Sequence, residues 1–244
     1  GKVVMRRKTV PNYDLSRKDV REWWSDAAAK AVREYGADGI FADAMGQDRA
    51  KGLDEEKLDS LVAARIELLE ETRNKIGPDK LLIYNGLLKD DPRQLLRFAD
   101  GAMIESFGHP KYGTSKEHLT ASFEATRAAA EEGKIVLLKG WPGFTFRDKE
   151  AMQKPRAQLA RLAKENIELP LAWFLVAAEP NSYFCYTWGY REQHGTLEWY
   201  PEFDKPLGPP KSAAVQDGSI YRREFAHASV FVDLENKTAK IEWK

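Results

Sequence analysis

The chain has 244 residues, 43% hydrophobic and 31% charged, a balance that excludes a disordered chain and allows one large domain or two small ones. Lys plus Arg and Asp plus Glu each total 38, so the formal net charge is zero, and no basic surplus or stripe marks a nucleic-acid binder. A single cysteine, Cys185, excludes an intrachain disulfide and a cysteine-based zinc site. The longest apolar run, Leu169 to Ala178, is too short to cross a bilayer. The chain opens on Gly1 without a signal-like apolar stretch, which reads as a processed or shortened product whose compartment the residues leave open.

Val3-Val4-Met5 reads as a short first strand. Ser16 with Asp19 three residues on resembles a helix start capped by Ser16. Val20, Trp23, Trp24, Ala27, Ala31, Val32 and Tyr35 then recur at helical spacing, ending at Gly36, and both tryptophans are expected in the core. Residues 39–42 form a buried strand that runs into Asp43. A helix over 54–75 ends at Gly77-Pro78, and a strand over 81–84 stops at Asn85-Gly86. A short helix follows Pro92, then a strand over 102–104 ends at Glu105. A helix over 115–132 leads to the strand 135–138, which ends at Lys139-Gly140-Trp141. A helix over 148–166, a buried helix over 170–178 and an aromatic strand over 182–188 complete the alternation. The tail is different: 199–210 is a proline-rich loop, and 219–243 reads as a β-hairpin turning at Glu235-Asn236-Lys237.

Apolar strands alternating with amphipathic helices specify an α/β chain with a parallel sheet. Five successive strands end on polar or aromatic groups: Asp43, Tyr84-Asn85, Glu105, Lys139 with Trp141, and Tyr186 with Trp188. A (β/α)8 TIM barrel builds its active site at the C-terminal ends of its strands, whereas a doubly wound sheet uses only the switch point. About six parallel strands are expected. The expectation is therefore a TIM-barrel-like domain over 1–198 whose first strands precede Gly1, with 199–244 packed on it.

The segment Tyr13-Asp14-Leu15-Ser16 through Trp24 resembles the stretch that precedes the catalytic-strand helix in several glycoside hydrolase barrels. Tyr35 through Asp43 resembles their catalytic strand, in which the final Asp is catalytic. Ser182-Tyr183-Phe184, Trp188-Gly189-Tyr190, residues 206–210 and the stretch from Arg222 to Val232 are similar to glycoside-hydrolase-like TIM-barrel families such as hypothetical glycosyl hydrolase family 15. The resemblance spans most of the chain. It implies a secreted or periplasmic glycosidase acting on a carbohydrate, usually a polysaccharide.

Glycosidic cleavage needs a protonated carboxyl to serve the leaving oxygen and an ionised one to attack the anomeric carbon or activate water. Asp43 and Glu105 are the carboxylates that directly end apolar strands. Asp43 is assigned as nucleophile or base. Glu105 is assigned as general acid, because Ile104 and Phe107 beside it would favour its protonated form. The plainer alternative has Asp43 capping a loop and Glu105 paired with Lys139. Tyr84, Asn85, Lys139 and Tyr186 are candidates to bind hydroxyls, and Trp141 and Trp188 are candidate sugar-stacking platforms. The histidines are scattered, so no metal site is expected, and no phosphate-binding glycine loop or nucleophile elbow occurs, so no cofactor is expected. A homo-oligomer or a further N-terminal segment could complete the barrel. Two other function classes fit the same residues: a non-catalytic carbohydrate-binding barrel, and a polysaccharide lyase using Tyr84, Tyr186 or His109 as base.

Overall fold

The structure is a computed structural model that describes residues 5–6, 10–11, 13–45, 55–88 and 92–244. Its contacts divide the chain into two compact units, Gly1–Met103 and Ile104–Lys244.

In the first unit, β1 (Met5–Arg6) pairs antiparallel with β2 (Val10–Pro11) in a two-stranded sheet of its own. The residue of the expected first barrel strand that is described, Met5, therefore does not join a parallel sheet; Val3 and Val4 lie outside the described residues. Helix α1 (Lys18–Tyr35) ends as the sequence predicts, with Gly36 left-handed at φ 69°. Its start is different. Arg17 holds the cap position without a side-chain cap bond, and Ser16 instead turns its backbone N–H and hydroxyl onto Asp14. The buried face is also displaced from the predicted stripe: Arg21, Ser25, Ala28 and Ala29 are buried, whereas Trp23 is 55% exposed and packs on Tyr13. Small side chains let α1 approach α2 (Glu55–Ile76) closely, and the buried Arg21 is compensated by Glu67 and Glu71 from that helix. Strand β3 (Gly39–Ala42) runs parallel to β4 (Leu81–Asn85) with Gly39 opposite Leu81 and Ala42 opposite Tyr84. Helix α3 (Pro92–Leu96) precedes β5 (Gly101–Ile104), which pairs with β4 so that Asn85 faces Met103.

The second unit continues with α4 (Lys116–Glu131), capped by Ser115, whose side chain accepts from the His118 N–H. Strand β6 (Ile135–Gly140) follows. The single helix expected over 148–166 is interrupted: a 3₁₀ turn at Ala151–Gln153 gives way to extended backbone at Lys154, and Pro155 separates it from α5 (Arg156–Glu165). Proline forces the residue before it out of helical geometry and lacks the N–H that would continue the ladder. Helix α6 (Glu168–Ala177) is buried along nearly its whole length, which its all-round apolar sequence requires. It packs on β6 and α4, and also on an antiparallel sheet. The buried Arg223 donates to the last carbonyls of α6, at Leu175, Val176 and Ala178, satisfying acceptors that the helix leaves open.

Strand β7 (Ser182–Tyr186) pairs parallel with β6, Lys139 opposite Cys185. The parallel strands follow the order β3-β4-β5-β6-β7, so the described residues contain five such strands, one fewer than expected. The tail is larger than a hairpin. Strands β8 (Val215–Asp217), β9 (Ile220–Glu224), β10 (Ala228–Asp233) and β11 (Thr238–Trp243) form a four-stranded antiparallel sheet in the order β11-β10-β9-β8. The predicted β10–β11 turn is present, but β8 is exposed throughout and offers no apolar alternation to read.

Candidate active site

Side chains alternate sides along a strand, so adjacent residues at a strand end meet opposite surroundings. This separates the sequence candidates into two groups. Tyr84 is fully buried beside Asn85, and Tyr186 and Trp188 are 3% and 0% exposed. The Tyr186 hydroxyl donates to the Ala163 carbonyl at 2.9 Å, and Trp188 packs on Phe144 with ring centroids 5.7 Å apart. Rings enclosed in this way offer no face to a sugar, so the recognition roles expected for Tyr84, Tyr186 and Trp188 are corrected to packing.

In the first unit, Asp43 ends β3 on the exposed surface. Its Oδ1 accepts from the Ala44 N–H at 2.7 Å and from Asn85 Nδ2 at 3.0 Å. The Met45 N–H reaches across to the Asn85 carbonyl, which folds the chain after β3 onto the end of β4. Ala44 has φ 60°, a left-handed conformation that is strained for alanine and recurs at functional turns. Asn85 therefore positions Asp43, in addition to its expected use in hydroxyl recognition.

In the second unit, Glu105 follows β5 and is partly exposed. Its Oε1 accepts from the Tyr190 hydroxyl, and its carbonyl accepts from Trp141 Nε1 at 2.9 Å. Trp141 is only 4% exposed, and the Lys139 ammonium lies 3.7 Å from its ring centroid. Trp141 thus anchors the backbone of Glu105 and gives no open platform on its Lys139 side. Lys139 is 2% exposed and donates to the Thr187 carbonyl and hydroxyl at 3.0 and 2.7 Å. Burial drives this ammonium down to about 8, opposed in part by Cys185 and Glu105. Burial and the bond to Glu105 push the Tyr190 hydroxyl well above its ordinary value, so it remains a donor.

Of the rings near Glu105, the sequence reading weighed His109 as a lyase base, met Tyr190 only through the family resemblance, and passed over Tyr112. His109 stacks on Tyr112 at 3.8 Å and meets the edge of Trp141 at 4.8 Å. Tyr190 contacts Trp141 and Phe146. Tyr112 and Tyr190 are 60% and 52% exposed. His109 is held towards its neutral form, chiefly by burial. The loop that carries His109 and Tyr112 closes tightly through Gly113, where a Cβ would lie 1.8 Å from the Ser106 carbonyl oxygen, so only glycine fits. Tyr190 had a signal in the sequence, because it directly follows Trp188-Gly189. Tyr112, in a polar loop, had none. A separate hollow of about 500 Å³ borders Trp141 on another side, between Trp173, Glu168 and Lys237.

The arrangement is a carboxylate fixed by a phenol, beside an ammonium and a wall of partly open aromatic rings, which suits proton transfer to a polyhydroxylated ligand. The sequence pattern of hypothetical glycosyl hydrolase family 15 matches residues 2–229. The chain belongs to this family. The match takes in both Asp43 and Glu105, and it stops within β10. No curated protein matches the chain. Among the described residues no group of three His, Cys, Asp or Glu side chains could hold a metal ion, and no helix is long and apolar enough to cross a membrane.

Proposed function

We propose that the protein is a glycoside hydrolase that cleaves an oligosaccharide or polysaccharide by two-carboxylate chemistry. The observation that carries this reading is Glu105, oriented by Tyr190 and bordered by the exposed rings of Tyr112 and Tyr190. Family membership supports the same reading. The parallel run β3 to β7 is read as part of a (β/α)8 barrel, because its polar strand-end residues are those that such a barrel uses.

In the proposed reaction Glu105 gives its proton to the leaving glycosidic oxygen as the C–O bond breaks. Asp43, ionised, attacks the anomeric carbon or activates the water that does. Asn85 holds Asp43, and Tyr190 holds Glu105. Lys139 keeps Trp141 and Thr187 in place behind the carboxyl group. The test is a panel of glycans incubated with the wild type, Asp43→Asn and Glu105→Gln. Wild-type protein is expected to release new reducing ends, and each variant is expected to lose about a thousandfold or more in rate while still binding glycan. Binding without cleavage by the wild type would make the protein a carbohydrate-binding module. Products with unsaturated-ring ultraviolet absorbance would make it a lyase.

A further inference from the structure

Glu105 shares its surroundings with several cations. The ionised groups felt by His109 are one carboxylate, Glu105, and three cations, Arg147, Lys139 and Lys111; Tyr112 feels Glu105 and Arg147. Lys139 is buried and committed to Thr187. Arg147 and Lys111 are exposed, and neither is among the described cations that pair with a carboxylate within 4.0 Å. Asp148 next to Arg147 turns its Oδ1 to the Glu150 and Ala151 backbone N–H groups.

Arg147 also has a defined position. Its guanidinium lies 5.2 Å from the Phe146 ring centroid, and Phe146 contacts Tyr190 at 5.7 Å, the residue bonded to Glu105. Lys111 belongs to the tight loop that presents His109 and Tyr112; its N–H donates to His109 Nδ1 at 3.2 Å. Two cations without a carboxylate partner among the described residues thus belong to the loops that follow β5 and β6 and carry the aromatic wall, Arg147 with its guanidinium against Phe146. A neutral sugar would leave them without a partner, whereas an anionic one would meet a guanidinium fork that suits carboxylate and sulfate oxygens.

We infer that the glycan taken by this site carries an anionic substituent, a uronate carboxylate or a sulfate ester, recognised by Arg147 and Lys111. The inference rests on the proposed carbohydrate function and names the substrate class. The test is calorimetric binding of size-matched neutral, uronate-containing and sulfated oligosaccharides to the wild type, Arg147→Ala, Arg147→Lys and Lys111→Ala. One acidic set should bind at least tenfold more tightly than the neutral set, and added salt should weaken it. Arg147→Ala should lose about tenfold for acidic glycans and nothing for neutral ones, with Arg147→Lys between, as expected for loss of one charge-assisted contact. The acidic set that responds identifies carboxylate or sulfate. Neutral glycans bound or cleaved as well as acidic ones would overturn the inference and leave the hydrolase intact, as would acidic binding indifferent to Arg147→Ala. Failure of every glycan to bind would overturn both.

Discussion

The two candidate carboxylates sit in different kinds of surroundings. Asp43 is exposed, held by one amide and by its own neighbour's N–H, at a turn strained by Ala44. Glu105 is set among rings, with a phenol on its carboxyl group, an indole on its carbonyl and a buried ammonium close by. The first site is built by backbone geometry, the second by side-chain burial. A strand-end carboxylate can therefore be positioned either by a turn of few atoms or by a packed cluster, and the two should fail differently when disturbed.

The largest expected difference concerns Lys139. Its folded value of about 8 lies below its ordinary 10.5, so between these values the unfolded chain holds more protons and stability rises with pH. Up to about 2 kcal/mol should be gained by the wild type from pH 8 to 10 relative to Lys139→Met, because the tyrosines that also titrate there are common to both proteins and cancel in the comparison. Urea titrations of both proteins across that range check this; parallel curves would contradict the lowering of Lys139 by burial. Next is Tyr190→Phe, which removes the donor to Glu105. It should lower kcat by about tenfold with little effect on KM, the scale of one hydrogen bond. Steady-state kinetics on a cleaved glycan decide it, and an unchanged kcat would reduce Tyr190 to packing. The smallest effect is at Ala44, where Ala44→Gly should raise stability by about 1 kcal/mol through relief of the left-handed strain. Thermal melts measure this, and a loss of stability would show that the turn is not strained.

Much of this was legible in the residues. The alternation of apolar strands and helices marked β3, β4, β5, β6 and β7, and strand-end position singled out Asp43, Asn85, Glu105 and Lys139. The reading went wrong where a one-residue phase matters. Tyr84 and Asn85 are neighbours, yet one is fully buried and the other bonds Asp43. Tyr186 and Trp188 were chosen for their chemistry, but each points to the packed side of its chain segment. The placement of Tyr112 and His109 beside Trp141 was illegible because a tight loop through Gly113, not a periodic element, brings them there. Trp23 was misread for a related reason. Helical spacing fixes a stripe, but the choice of Ala28 and Ala29 over Trp23 as the buried face comes from close approach of α2.

The central claim is that Glu105 delivers a proton to a leaving glycosidic oxygen. It is tested most directly by comparing Glu105→Gln with wild type on a cleaved glycan and on an aryl glycoside of the same sugar, whose acidic phenol departs without protonation. The account predicts a loss of about a thousandfold on the glycan and a far smaller loss on the aryl glycoside. Equal losses on both substrates, or full activity on the glycan, would contradict it.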